Sequence, residues 1–138
     1  PELSIEVDGH MVVEKKRGFV VVGNSRQYGW RTDPAGRAVM DDGLLDMMFF
    51  PTTSRFGLCR WAVRCRTRQQ WKRADLVHQN GSAISIHSEQ PFRYQLDGDP
   101  PGVVHELDQT GPAVGQEVPT RALNIVIKPA TLRVLTTG

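Results

Sequence analysis

The sequence predicts a mainly β, β-sandwich-like domain with one helix at about 56–71. Three observations carry that expectation. Many short apolar or β-branched runs are separated by turn-forming dipeptides, only one stretch is long enough and proline-free enough for a sizeable helix, and 138 residues suffice for one core.

The elements follow in order. Ser4–Asp8 alternates polar and apolar residues and ends at Asp8-Gly9, a hairpin-type turn, so Met11–Glu14 is its returning strand. Gly18–Gly23 contains Phe19-Val20-Val21-Val22, which suits a buried strand. Residues 24–38 are rich in Gly, Pro, Asp and Arg and read as a long loop. Leu44–Phe50 is apolar enough for a central strand, closed by Pro51. Phe56–Trp71 lacks proline and has no glycine after Gly57, and Arg60, Arg64, Arg68 and Lys72 recur at i+4 as one helical stripe. Further strands are expected at Ala74–His78, Ala83–His87, Phe92–Leu96, Ala122–Lys128 and Leu132–Leu135. Asn80-Gly81 predicts a hairpin between two of them, and 109–120 is a Gly/Pro-rich connector.

Composition narrows the function. Hydrophobic residues make up 39% and charged residues 23%, as in ordinary globular proteins, and no window approaches the roughly 20 apolar residues of a membrane helix. The amino-terminal residues show no signal-peptide pattern, and the missing initiating methionine predicts a processed chain or a fragment. Cys59 and Cys65, six apart, form no CxxC motif and read as two semi-buried thiols in a reducing cytoplasm. The four histidines lack zinc-type spacing. Net charge is +2, yet Arg55–Arg73 holds seven of the 17 cations and no acid, leaving ten cations against 15 acids elsewhere. The positive charge is therefore local, which excludes a general nucleic-acid binder. The basic stretch reads either as a solvated face or as a surface for anionic phospholipid made by Arg60, Arg64, Arg68 and Lys72, with Trp61 and Trp71 at the interface.

Two acidic turns carry candidate chemistry. One is Asp41-Asp42-Gly43-Leu44-Leu45-Asp46; the other is Gln95-Leu96-Asp97-Gly98-Asp99-Pro100. Carboxylate oxygens on tight turns suit hard cations, and a fixed carboxylate can accept a proton from a hydroxyl. Each turn is equally compatible with a plain structural role.

Taken in order, these pieces resemble the carboxy-terminal half of diacylglycerol kinase-like lipid kinases. Gly23-Asn24, Tyr28-Gly29, Pro34, Ala35 and Ala38 precede the Asp41–Asp46 stretch; Gly81, Ile84, Ile86 and Pro91 precede the Asp97–Asp99 turn; and Leu123–Lys128, Pro129-Ala130 and Leu132–Leu135 fit a closing strand pair. The resemblance spans nearly the whole chain. NAD kinases share the fold superfamily, but the Asp41–Asp46 stretch fits the lipid kinases better.

The resemblance implies a β-sandwich-like carboxy-terminal domain of the NAD kinase/diacylglycerol kinase-like fold. It implies transfer of the γ-phosphoryl group of ATP to a lipid hydroxyl, with magnesium as cofactor. The nucleotide belongs mainly to an amino-terminal domain carrying a Gly-Gly-Asp-Gly-Thr loop, which this chain lacks. That domain is the expected partner, together with the lipid substrate and an anionic membrane surface. Nucleic acid is not expected, and there is room for a homodimer. Alone, the chain is expected to be inactive; the location implied is cytoplasmic and peripheral to the membrane. Residue by residue, Asp99 falls where the family has a glutamate as general base, Asp97 shapes that turn or polarises its partner, and Asp42 is the magnesium carboxylate, with the Val39 and Leu44 carbonyls as backbone ligands. Asp41 and Asp46 are expected to be solvated or capping. Asp99 is one methylene shorter than glutamate, which keeps open a non-catalytic lipid- or partner-binding module.

Overall fold

The computed structural model describes residues 1–26, 33–95 and 120–127. It is mainly β, built from two antiparallel sheets and one helix. The strands are β1 (Glu2–Val7), β2 (His10–Arg17), β3 (Phe19–Gly23), β4 (Leu45–Phe50), β5 (Val77–Gly81), β6 (Ala83–Phe92) and β7 (Thr120–Val126); α1 covers Arg55–Arg66. One sheet runs β2-β1-β6-β7 and the other β3-β4-β5.

The β1–β2 hairpin forms at the expected dipeptide. Val7 faces His10 across Asp8 and Gly9, whose φ values of 48° and 79° suit a type I′ turn matching the strand twist. The chain then passes from the first sheet to the second through Gly18 alone. A Cβ there would fall on the Phe50 carbonyl and the Phe49 ring, so the corner requires glycine.

β4 is buried along its whole length and divides two cores. Leu45, Met47 and Phe49 meet Leu3, Ile5, Ile84 and Ile86 between the sheets. Met48 and Phe50 pack on the other face with Ala35, Ala38, Trp61 and Cys65. Phe50 stacks on Phe19 at 4.6 Å and meets Trp61 edge-on at 4.9 Å. The loop at 33–38 and α1 thus cover the second sheet as a third layer.

The helix is shorter than the expected 56–71. It begins at Ser54, whose Oγ accepts from the Gly57 amide at 3.0 Å. It ends because the Arg68 and Gln69 amides donate back to the Cys65 and Arg64 carbonyls at 3.3 and 2.9 Å, a Schellman closure with Arg68 at φ 57°. The chain resumes as a 3₁₀ turn at Gln70–Lys72, so Arg60 and Arg64 lie on α1 whereas Arg68 and Lys72 lie beyond it. The single four-cation stripe does not form.

Asn80-Gly81 is not a hairpin. β5 pairs with β4 and β6 pairs with β1 and β7, so the chain crosses between sheets at Ser82. The Asp8 carboxylate holds that crossing, accepting from the Ser82 amide at 3.0 Å, the Ser82 hydroxyl at 2.9 Å and the Ala83 amide at 2.9 Å. Gly81 serves close approach instead, since a Cβ on it would fall on Val7 Cγ1. Phe92 ends β6 rather than opening a strand of its own, after an irregularity in the β6–β7 pairing between His87 and Phe92. Leu132–Leu135 lies outside the described residues.

Candidate functional site

The Asp41–Asp46 stretch leads from the third layer into β4. Gly43 adopts φ 75°, a conformation that L side chains rarely take. Asp42 is exposed, and its Oδ1 accepts from the Leu44 amide at 2.9 Å, an Asx turn. Leu44 closes this turn and Val39 lies three residues before it; Val39 is exposed and Leu44 half-buried. Arg26 Nε donates to the Ala38 carbonyl at 3.1 Å, placing a guanidinium one residue from Val39.

This donor set fits a hard cation. One carboxylate oxygen is used by the turn and the other has no bond among the described residues, while an exposed loop supplies carbonyl oxygens. No cluster of three or more His, Cys, Asp or Glu exists among the described residues, so the protein's share at any such site would be small and mostly backbone. A cation there would meet repulsion from Arg26, and a hard cation that retains several waters, such as magnesium, would be the kind suited to so sparse a set.

The other end of the stretch departs from expectation. Asp46 is neither solvated nor capping: it is 1% exposed within β4 and lies 2.6 Å from His78 Nε2 on β5. The register explains the pair. Asp46 faces Asn80 and Met48 faces His78, so Asp46 and His78 are diagonal neighbours on the helix-facing side. Trp71 meets the His78 ring edge-on at 5.0 Å, and the Arg37 guanidinium lies 4.3 Å from the Trp71 ring. A lone carboxylate in an apolar strand run was the available sequence signal; its diagonal histidine partner on the neighbouring strand was not.

A second polar group ties the loop down. Asp33 is buried and receives Arg68 Nε and Nη2 at 3.0 and 2.9 Å, while Gln70 Nε2 donates to its carbonyl at 2.7 Å. Arg68, expected to face a membrane, is thus engaged with the protein. Arg64 lies over Trp61 at 5.3 Å, Arg60 sits 6.0 Å from the Phe56 ring, and Lys72 is exposed. The thiols also differ: Cys59 is exposed and Cys65 buried. Asp97 and Asp99 lie outside the described residues.

One open groove of about 710 Å³ lies elsewhere, bordered by Ser4, Lys15, Arg17, His87 and Glu89. Two of its three cations, Lys15 and Arg17, already pair with Glu89 and Glu2 at 3.1 and 3.5 Å, the third is Arg121, and Asp42 does not border it. The groove therefore adds nothing to the acidic loop.

Two antiparallel sheets joined by one-residue crossings, with a glycine-turned acidic loop entering the central strand, define a β-sandwich-like domain. The chain belongs to the family of the YegS C-terminal NAD kinase beta sandwich-like domain, whose model matches residues 1–136. Solved structures agree on the fold. One from Bacillus anthracis str. Sterne, described as a diacylglycerol kinase, is 15% identical with a TM-score of 0.54, covering 95% of this chain and 44% of that one. Two others from the same organism, whose diacylglycerol kinase assignment is provisional in their own descriptions, are each 18% identical. Their TM-scores are 0.56 and 0.55, covering 95% of this chain and 40% and 41% of theirs. The chain thus spans about two-fifths of the length of these solved relatives. No curated protein matches it.

Proposed function

We propose that the chain is the carboxy-terminal half of a two-domain, ATP-dependent lipid kinase that phosphorylates a diacylglycerol-type hydroxyl. The family match over residues 1–136 carries this reading, and coverage of only two-fifths of the solved relatives supports a further, nucleotide-binding domain in the parent protein. The acidic loop contributes Asp42 and the carbonyls of Val39 and Leu44 to a cation site. Magnesium bound there would supply positive charge that orders the loop. Asp99 takes the lipid hydroxyl proton as the oxygen bonds to the γ-phosphorus and the bond to ADP breaks. Asp97 would shape that turn or polarise Asp99. Phosphoryl transfer depends mostly on positioning, so the shorter aspartate must be brought closer by its backbone.

The test is lipid phosphorylation by the full-length parent with ATP and magnesium, comparing wild type with Asp99→Asn. Loss of at least about 10²-fold in rate is expected from removing a positioned base. Activity surviving in the variant would put the base elsewhere. Folded, ATP-binding protein inactive on every lipid would leave a non-catalytic lipid- or partner-binding module.

A further inference from the structure

Two irregularities of the first sheet open onto the same groove. Lys16 lies opposite Leu3 and Val13 opposite Ile5, so β2 carries one residue more than β1 between those pairs. Lys15 sits in that bulge at φ 44°, a conformation uncommon outside glycine, and its amide donates to Ser4 Oγ at 3.2 Å. On the other side of β1, β6 advances from His87 to Phe92 while β7 advances only from Ala122 to Thr120. The extra residues of β6 fall within 88–91, where the Gln90 amide donates to Ser88 Oγ at 3.2 Å. Both bulges border the open groove of about 710 Å³, which Thr53 reaches from between β4 and α1. Bulges re-aim side chains, and strained backbone gathers at binding sites. Nothing in the kinase reading uses either bulge.

The lining narrows the ligand. Lys15, Arg17 and Arg121 bring three cations to the groove, and Glu2 and Glu89 two acids. The Lys15–Glu89 and Arg17–Glu2 pairs are solvent-exposed, and exposed pairs contribute so little that a stronger anion displaces them. Arg121 is exposed and has no ion pair among the described residues. Ser4 and Ser88 accept backbone amides at their oxygens, so each hydroxyl proton remains to donate. Cations and donating hydroxyls suit a phosphate group, and carboxylates beside them suit the hydroxyls of a polyol. Apart from Pro1 and the His87 ring, no apolar or aromatic side chain lines the groove, which leaves an acyl chain or a nucleobase without a seat. The volume lies in the range of small-molecule sites, about 300–1,000 Å³.

We propose that this groove binds a soluble phosphorylated polyol of the sugar-phosphate kind. Lys15, Arg17 and Arg121 hold the phosphate, while Glu2 and Glu89, turned from their ion pairs, accept the hydroxyls. The site is separate from the acidic loop and does not rest on the kinase reading.

The test is calorimetric titration of the full-length parent with glucose 6-phosphate, after a non-hydrolysable ATP analogue and magnesium have been added to fill any nucleotide site. No lipid is present and nothing turns over, so failure of the kinase reading would leave the outcome intact. Glucose 6-phosphate should bind, inorganic phosphate about tenfold more weakly, and glucose not at all. Lys15→Asn/Arg121→Gln should weaken the sugar phosphate about tenfold or more with an unchanged urea midpoint, since both side chains are exposed and asparagine tolerates the φ of the bulge. Glu89→Gln should tighten inorganic phosphate by removing the acid that competes for Lys15. Four results would overturn the proposal. They are no sugar-phosphate binding at about 10 mM, binding undiminished in the double variant, inorganic phosphate bound as tightly as the sugar phosphate, or retention on phosphatidylinositol vesicles that the double variant loses while the soluble sugar phosphate does not bind. The last would give the groove to a lipid headgroup.

Discussion

The Asp46–His78 pair offers the sharpest test of how the second core is held. The perturbation is His78→Ala. Asp46 is 1% exposed, and its side-chain partner among the described residues is His78 Nε2 at 2.6 Å. Deleting the imidazole leaves the buried Asp46 carboxyl without its side-chain partner among the described residues. Removing one partner of a buried pair costs about 3–5 kcal/mol. Losing the edge-on contact with Trp71 adds about 0.5–1.5 kcal/mol. With a urea m-value of about 1–3 kcal/mol/M for a small domain, the midpoint should fall by about 2 M. Such a loss is a large part of the roughly 5–15 kcal/mol that holds a typical domain folded.

Urea unfolding followed by tryptophan fluorescence measures this directly. His78→Gln, which keeps a donor, should recover most of the loss. The double variant Asp46→Ala/His78→Ala should be more stable than His78→Ala alone, because it removes the orphan carboxylate along with its partner. A loss below about 1 kcal/mol in the single variant, or plain additivity in the double, would refute the argument that an unpaired charge drives the effect.

Gly81→Ala should destabilise by about 1–3 kcal/mol in thermal unfolding, because its Cβ falls on Val7 Cγ1 and approaches Asp8 Oδ2 at 2.7 Å. Asp8→Asn should lower the urea midpoint at neutral pH and reduce the acid sensitivity of the wild type. The Ser82 side-chain hydrogen bond, then the Ala83 amide, hold the Asp8 carboxyl below its ordinary 3.8, so its contribution is present above that value and lost as pH falls through the lower folded value. In mass-spectrometric alkylation near pH 8, Cys59 should react while Cys65, buried and pushed up to about 11, stays silent until unfolding; modification of native Cys65 would contradict that burial.

What could be read in the sequence follows from where the signal is local. Asp8-Gly9 is legible because both residues must take positive φ, which few dipeptides tolerate. Phe19–Gly23 and Leu45–Phe50 are legible because apolar runs bounded by glycine or proline have few alternatives. The helix end is not legible: its left-handed position is Arg68, where glycine would have announced the stop, and the strain is offset by the ion pair to Asp33, 35 residues away. Asn80-Gly81 misleads because the same dipeptide serves a hairpin or a sheet crossing, and only the remote approach of Val7 decides. Within the candidate site, the Asp42-Gly43 turn is local and readable. The burial of Asp46 depends on α1 covering the second face of β4, a tertiary fact absent from any window of sequence.

That double coverage bears on the proposed cation loop. A sparse metal site gains affinity when its oxygens are fixed before the ion arrives, because ordering them afterwards is an entropic cost. The loop holding Asp42 is exposed at its tip, yet one residue beyond Leu44 the chain enters β4, buried on both faces and paired on both edges. On its other side, Ala35 and Ala38 are locked into the helix-side core, and Arg26 holds the Ala38 carbonyl. Both ends of the loop are therefore clamped by packing, while among the described residues the tip is shaped by the Asx turn and by Gly43. Asp42→Ala should accordingly remove a ligand and loosen the tip without disturbing β4. Weakened magnesium affinity by calorimetry, with an unchanged urea midpoint, is the pair of results this arrangement requires.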